Sequence, residues 1–197
     1  MTMCDPVAAR VAALSYGRCV TEPRSGDAPE KTLAATARVV VTRPDDPRAA
    51  PLVEELSREY DERYGLNDGI PSSVELSRYP AERFTAEEGG TFLLLVDDEG
   101  RAVAGGAFMR EDAETVEVKR VWTHSAHRRQ GLARRVMAEL EAEAARRGLR
   151  SIVLTTGARQ PEAVALYLSL GYAPLFDLDD DWEAVSYLGF RKDISTT

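Results

Sequence analysis

Cysteine is almost missing from this 197-residue chain. Cys4 and Cys19 both fall in a poorly patterned N-terminal stretch, so no disulfide framework is implied. Long apolar runs are missing too. The strongest, Phe92 to Val96, is far short of the ~20 residues that cross a bilayer, and the N-terminus lacks the continuous apolar segment of a secretory signal. No membrane association is expected, and a cytoplasmic protein is. An excess of positive charge is absent: the net charge of −8 argues against nucleic-acid partners, whose nonspecific affinity comes mostly from a basic face. The phosphate-loop pattern GxxxxGK[ST], the dinucleotide pattern GxGxxG and the hydrolase elbow GxSxG do not occur. His124 and His127 form an HxxH pair without a cysteine or third ligand nearby, so no metal is expected.

Against this acidic background one segment inverts the sign. Residues 119 to 135 contain Lys119, Arg120, Arg128, Arg129, Arg134 and Arg135 and no Asp or Glu. Within it, Arg128-Arg129-Gln130-Gly131-Leu132-Ala133 lies between a strand-like run, Val116 to Thr123, and a helical pattern from Leu132 to Arg147. A strand-to-helix turn of this kind aims unpaired backbone N–H groups and the positive end of a helix dipole at one spot. The turn is a place for a phosphorylated ligand, and Arg128 and Arg129 are the side chains nearest to it. Arg134 and Arg135 are equally well read as solvated helix residues.

The remaining pattern predicts an α+β chain. Residues 1 to 36 lack periodicity apart from a short helical pattern at Val7 to Leu14, and read as an extension dispensable to the chemistry. Val39 to Thr42 predicts a strand. Asp46 and Pro47 open a helix whose apolar positions are Leu52, Val53, Leu56, Tyr60 and Tyr64, and Pro51 delays its regular part. Residues 65 to 90 read as a long connection with one short helix at Ala81 to Phe84. A hairpin, Thr91–Val96 and Arg101–Met109, is followed by a strand at Thr115–Thr123. After the helix from Leu132, which stops at Gly148, come a strand at Ser151–Thr156, a helix at Glu162–Leu170 closed by Gly171, and a strand at Ser186–Arg191.

Two motifs in this order resemble those of the GNAT acetyltransferase superfamily. Arg128, Gly131 and Ala133 match [QR]xxGx[GA] at a strand-to-helix junction, and Gln160 to Tyr172 (QPEAVALYLSLGY) is similar to NxxAxxLYxxxGF. The likeness spans about residues 38 to 192 and is strongest from 91 to 172. It implies a three-layer α/β/α fold, with a central mixed, mostly antiparallel, twisted sheet of about 6–7 strands and flanking helices. The domain would cover residues 37–194. It also implies acetyl-CoA as cosubstrate, no metal, and transfer of acetyl to an amine by direct attack in a ternary complex. Val121, Trp122 and Thr123 would border the pantetheine arm, with Val121 and Thr123 pairing with it as with an added strand. The N–H groups from Arg128 through Arg129, Gln130, Gly131, Leu132 and Ala133 would hold the pyrophosphate. Gln160 and Ala163 would touch the cosubstrate from the second motif, although the family's Asn is Gln160 here.

An alkyl amine with a pKa near ~10 must lose a proton before attacking a thioester. Glu117, on an otherwise apolar strand, matches the family's base; the alternative is an ion pair with Lys119 or Arg120. Tyr167 matches the family's acid for the departing thiolate, and its alternative is a core residue beside Leu166 and Leu170. The Val121 N–H would stabilise the oxyanion. The acceptor would sit between the early helix with its following loop (Tyr60, Tyr64, residues 65 to 80) and the loop after Gly171. That late loop carries Asp177, Asp179, Asp180, Asp181 and Glu183, which either attract a cationic amine or keep the loop solvated. A noncatalytic acyl-CoA-binding regulatory module and a longer-acyl transferase are the other readings, and a homodimer is left open.

Overall fold

In the computed structural model, residues 32–194 apart from Ser186 are described; Cys4, Cys19 and the helical pattern at Val7 to Leu14 lie outside them. The elements are α1 (Leu33–Thr36), β1 (Arg38–Thr42), α2 (Ala50–Tyr64), β2 (Leu66–Asn67), β3 (Ile70–Pro71), β4 (Thr91–Val96) and β5 (Ala102–Arg110). There follow β6 (Thr115–Thr123), α3 (Leu132–Arg146), β7 (Ser151–Thr156), α4 (Pro161–Ser169), β8 (Ala173–Pro174) and β9 (Leu188–Asp193). Seven strands form one sheet in the order β1-β4-β5-β6-β7-β9-β8. Every neighbouring pair is antiparallel except β6 and β7.

The sheet divides the core in two. Along β4, Phe92, Leu94 and Val96 pack toward α2 with Leu52, Leu56 and Trp122. Leu93 and Leu95 pack toward α3 with Val136, Met137 and Leu140. This explains why β4 reads as continuous apolar sequence: both faces of the strand are covered. A carboxylate shapes the start of α2, where Asp46 Oδ1 accepts from the Arg48 N–H at 2.8 Å and a 3-10 turn, Pro47–Ala49, precedes the α-helix.

Helices α3 and α4 end alike. Gly148 and Gly171 adopt the left-handed conformation; the Leu149 N–H donates to the Ala144 carbonyl and the Tyr172 N–H to the Tyr167 carbonyl, both at 3.1 Å. This is the Schellman pattern. In α4 it also stacks Tyr172 against Tyr167, with ring centroids 5.9 Å apart.

Several details depart from the sequence reading. The 65 to 90 connection contains the β2–β3 ribbon and a 3-10 segment, Ser72–Ser77, besides the turn at Ala81–Phe84. The ribbon strands and β8 are two residues long, below what periodicity can register. Residues 33–36 form a turn of helix held to α3, where the Arg135 guanidinium donates to the Ala34 carbonyl at 3.1 Å.

Candidate active site

The parallel pair at the middle of the sheet comes apart. β6 and β7 are in register from Thr115 with Ser151 to Val118 with Leu154, and no further. Lys119 to Thr123 and Thr155 to Thr156 therefore present unpaired backbone edges to each other across an opening. A bulge accompanies the split. Gly105 pairs with Trp122 and Ala107 with Lys119, so Arg120 and Val121 together stand opposite Gly106, outside the regular ladder. Arg120 has φ 58°, in the left-handed region. Such a bulge bends its strand and sharpens the twist, which carries β6 away from β7. It also switches faces: Val116 and Val118 pack toward α3, whereas Trp122 packs toward α2.

The turn beyond β6 is held from below by one carboxylate. Glu55 on α2 accepts from Trp122 Nε1 at 2.9 Å, the Ser125 N–H at 3.0 Å and Ser125 Oγ at 2.8 Å. Burial alone would raise its pKa; the hydrogen bonds from Ser125 and Trp122 outweigh that and leave it lowered. The sequence reading passed over Glu55, whose partners are about 70 positions away. Beyond it, the N–H groups of Arg128, Arg129, Gln130 and Gly131 have no hydrogen-bond partner among the described residues. Gly131 sits at φ 80° and no side chain caps α3, so the first N–H groups of that helix, at Leu132 and Ala133, also stay open. Thr123 Oγ1, at the end of β6, is buried without a partner among the described residues.

Scanned against protein-family models, the chain matches the acetyltransferase (GNAT) family over residues 51–172. The chain belongs to the GNAT acetyltransferase family. Among curated proteins no sequence match is found. Solved structures share the fold. A Klebsiella pneumoniae protein described as an acyl-CoA N-acyltransferase is 24% identical, with TM-score 0.62, 81% of this chain covered and 98% of that one. A GNAT-family acetyltransferase of Staphylococcus aureus is 12% identical, with TM-score 0.63 and coverage of 80% and 100%. A Sinorhizobium meliloti phosphinothricin acetyltransferase, solved in complex with AcCoA, is 16% identical, with TM-score 0.54 and coverage of 81% and 89%.

In this GNAT chain the segment of six cations is not uniformly free. Lys119 pairs with Glu117 at 2.7 Å, Arg128 with Glu59 at 2.9 Å and Arg135 with Glu139 at 2.6 Å. Arg134 donates to Ser169 Oγ at 2.8 Å. Exposed Arg129 has no ion-pair partner among the described residues. Glu59 also binds Arg63 at 2.8 Å, and Arg63 reaches Glu162 on α4, so charged side chains tie α2 to both the turn and α4.

Glu117 and Tyr167 face different halves of the core. Glu117 pairs with Met109, a residue of the α2 side, while Tyr167 belongs to the α3–α4 side, stacked on Tyr172 and on Phe190 at 5.5 Å. Both alternatives weighed from sequence are therefore visible: Glu117 is ion-paired with Lys119, and Tyr167 is a core residue. The Tyr167 phenol is also not near its ordinary pKa. Burial pushes it well up, and nearby Tyr60 on α2 adds to the rise. Tyr60 packs with the opposite half of the core. Gln160 spends its Oε1 on Thr156 Oγ1 at 2.7 Å, closing the β7–α4 turn, and Ala163 packs against the α3–α4 core. In the acidic loop, Asp177 and Asp181 cap local turns and Glu183 pairs with Arg159 at 3.1 Å.

Buried phenols make the fold sensitive to alkali. Burial raises Tyr60 from 10.0 to about 12, and raises Tyr64, Tyr167 and Tyr172 as well. A raised folded-state value means that the unfolded chain loses its proton first. The stability contribution is full below about pH 10 and is lost as pH climbs through the folded values. For Tyr60 alone the loss is about 3 kcal/mol between about pH 10 and 12. Urea midpoints are expected to fall steeply across that window, and less steeply in Tyr60→Phe; a level midpoint would contradict this account.

Proposed function

We propose that the chain is an acetyl-CoA-dependent N-acetyltransferase that moves acetyl to a primary amine of a small molecule or peptide by direct transfer in a ternary complex. The observation that carries the reading is the parting of β6 and β7 beside an uncapped α3. The residues fit the cosubstrate. The free edge from Val121 through Trp122 to Thr123 suits an amide-bearing arm, the buried Thr123 Oγ1 lacks a partner among the described residues, and the open N–H groups from Arg128 to Ala133 suit a pyrophosphate. Arg129, exposed and without an ion-pair partner among the described residues, is available to it directly; Arg128 reaches it by exchanging Glu59.

Glu117 accepts the amine proton, through water, as nitrogen attacks the thioester carbon. The carbon–sulfur bond then breaks and Tyr167 protonates the departing sulfur. The bulge leaves the Val121 backbone free of ladder pairing, which suits it to the developing oxyanion. The catalytic unit is residues 37–194, and a cytoplasmic location accords with the absence, among the described residues, of any helix long and apolar enough to cross a membrane. Thiol release from acetyl-CoA across an amine panel tests the reading. Release with stoichiometric amide formation is expected, while tight acetyl-CoA binding without release to any amine would favour a regulatory acyl-CoA-binding module.

A further inference from the structure

Arg120 is a cation without a counter-ion among the described residues. Its guanidinium lies over the Phe84 ring, 4.3 Å from the centroid, and donates to the Leu76 carbonyl at 2.5 Å. No carboxylate of the described residues pairs with it. One of its five N–H donors is used, and desolvation by the surrounding protein disfavours its charge. Arg120 is half-buried, and a partly desolvated charge gains from a partner, because leaving it unpaired is costly. It also occupies a left-handed backbone position, which costs a side-chain-bearing residue of order 1 kcal/mol.

The unpaired group borders an open surface pocket of about 280 Å³, whose other walls include Leu52, Leu76, Ser77 and Tyr79. That is near the small end of the roughly 300–1,000 Å³ typical of small-molecule sites. The one carboxylate on its wall, Asp45, is engaged by Arg43 at 3.0 Å. Lys119 stands 5.3 Å from the Tyr79 ring centroid and pairs with Glu117, so a chain of side-chain contacts runs from the pocket wall to the candidate base. Tyr60, on the same α2 side of the sheet, is close enough to Arg120 to feel its charge.

The geometry points to Arg120 as the recognition group for a carboxylate carried by the acceptor, so that the substrate is a small amine bearing an acid, of amino-acid type, and not a simple polyamine or a protein. This inference rests on the acetyltransferase reading above. A planar carboxylate matches the guanidinium fork, and binding it would supply the missing counter-ion.

The test uses the full chain and matched pairs: an amino acid and the amine left when its carboxylate is removed. In thiol release from acetyl-CoA, the carboxylate-bearing member is expected to show a kcat/KM about 10- to 100-fold higher. Arg120→Gln should bring each pair within about 2-fold, by loss on the carboxylate member alone, and Arg120→Lys, which keeps charge without the fork, should fall between. The same pairs are added to wild type and Arg120→Gln saturated with CoA while Tm is followed. Only the acid-bearing member should raise Tm, and only in wild type. Equal kcat/KM within pairs in wild type, or an equal loss on both members in Arg120→Gln, overturns the inference while leaving acetyl transfer intact. An Arg120-dependent Tm shift without thiol release upholds the carboxylate site and overturns acetyl transfer. Neither release nor shift overturns both.

Discussion

Replacing Gly131 by Glu is expected to weaken acetyl-CoA binding at least ~100-fold, about 3 kcal/mol, in a calorimetric titration. Three features combine. Gly131 lies at φ 80°, where a side chain costs about 1–2 kcal/mol. A Cβ there has room, since its nearest neighbour would be Ala34 Cβ at 3.8 Å, so the fold should survive with a modest drop in Tm. The added carboxylate, however, stands among the open N–H groups of the turn, where it both occupies donors and repels a pyrophosphate. Gly131→Ala carries the same backbone cost without the charge, and should lose far less affinity. Wild-type affinity in Gly131→Glu would show that the phosphates bind elsewhere.

The second large effect concerns the proton-transfer pair. Tyr167→Phe should lower kcat about 100-fold and leave acetyl-CoA affinity and Tm nearly unchanged, because its hydroxyl makes no hydrogen bond within the described residues while the ring stays packed between Tyr172 and Phe190. A phenol raised by burial keeps its proton at neutral pH, so it serves as a donor to the departing sulfur and not as a base. Glu117→Gln should lower kcat by a similar factor near neutral pH and regain activity as pH approaches the ~10 of a free alkyl amine, where the nucleophile deprotonates unaided. In the structure Lys119 holds Glu117 Oε1 at 2.7 Å, so the remaining oxygen is the one available to a water. Unchanged kcat for both variants from about pH 6 to 9 would remove both assignments.

Part of this architecture is determined locally and was therefore legible. The Asp46–Pro47 start, the glycine stops after α3 and α4, the hairpin at Asp97–Gly100 and the strand-to-helix turn at Gly131 each depend on the residue's own φ preference or a neighbouring side chain. Those signals survive in one dimension, as do the two short motifs by which the family is recognised. The apolar period of α3 likewise names its buried stripe, Leu132, Val136, Leu140 and Ala144.

Tertiary structure alone decided what surrounds each charge. The run from Lys119 to Arg135 looks like one basic patch, yet Glu117, Glu59 and Glu139 neutralise three of its members, and of these Glu59 arrives from a helix almost 70 positions away. Arg120, Arg129 and Arg134 are left without a carboxylate among the described residues, and of the three only Arg120 is half-buried, a distinction invisible in sequence because a half-buried guanidinium and a solvated one have the same letter. Glu55, Tyr60 and the bulge that bends β6 belong to the same class. Local conformation follows from steric and hydrogen-bonding preferences of neighbouring residues, whereas the state of a titratable group is set by the dielectric and partners that the folded chain brings from afar.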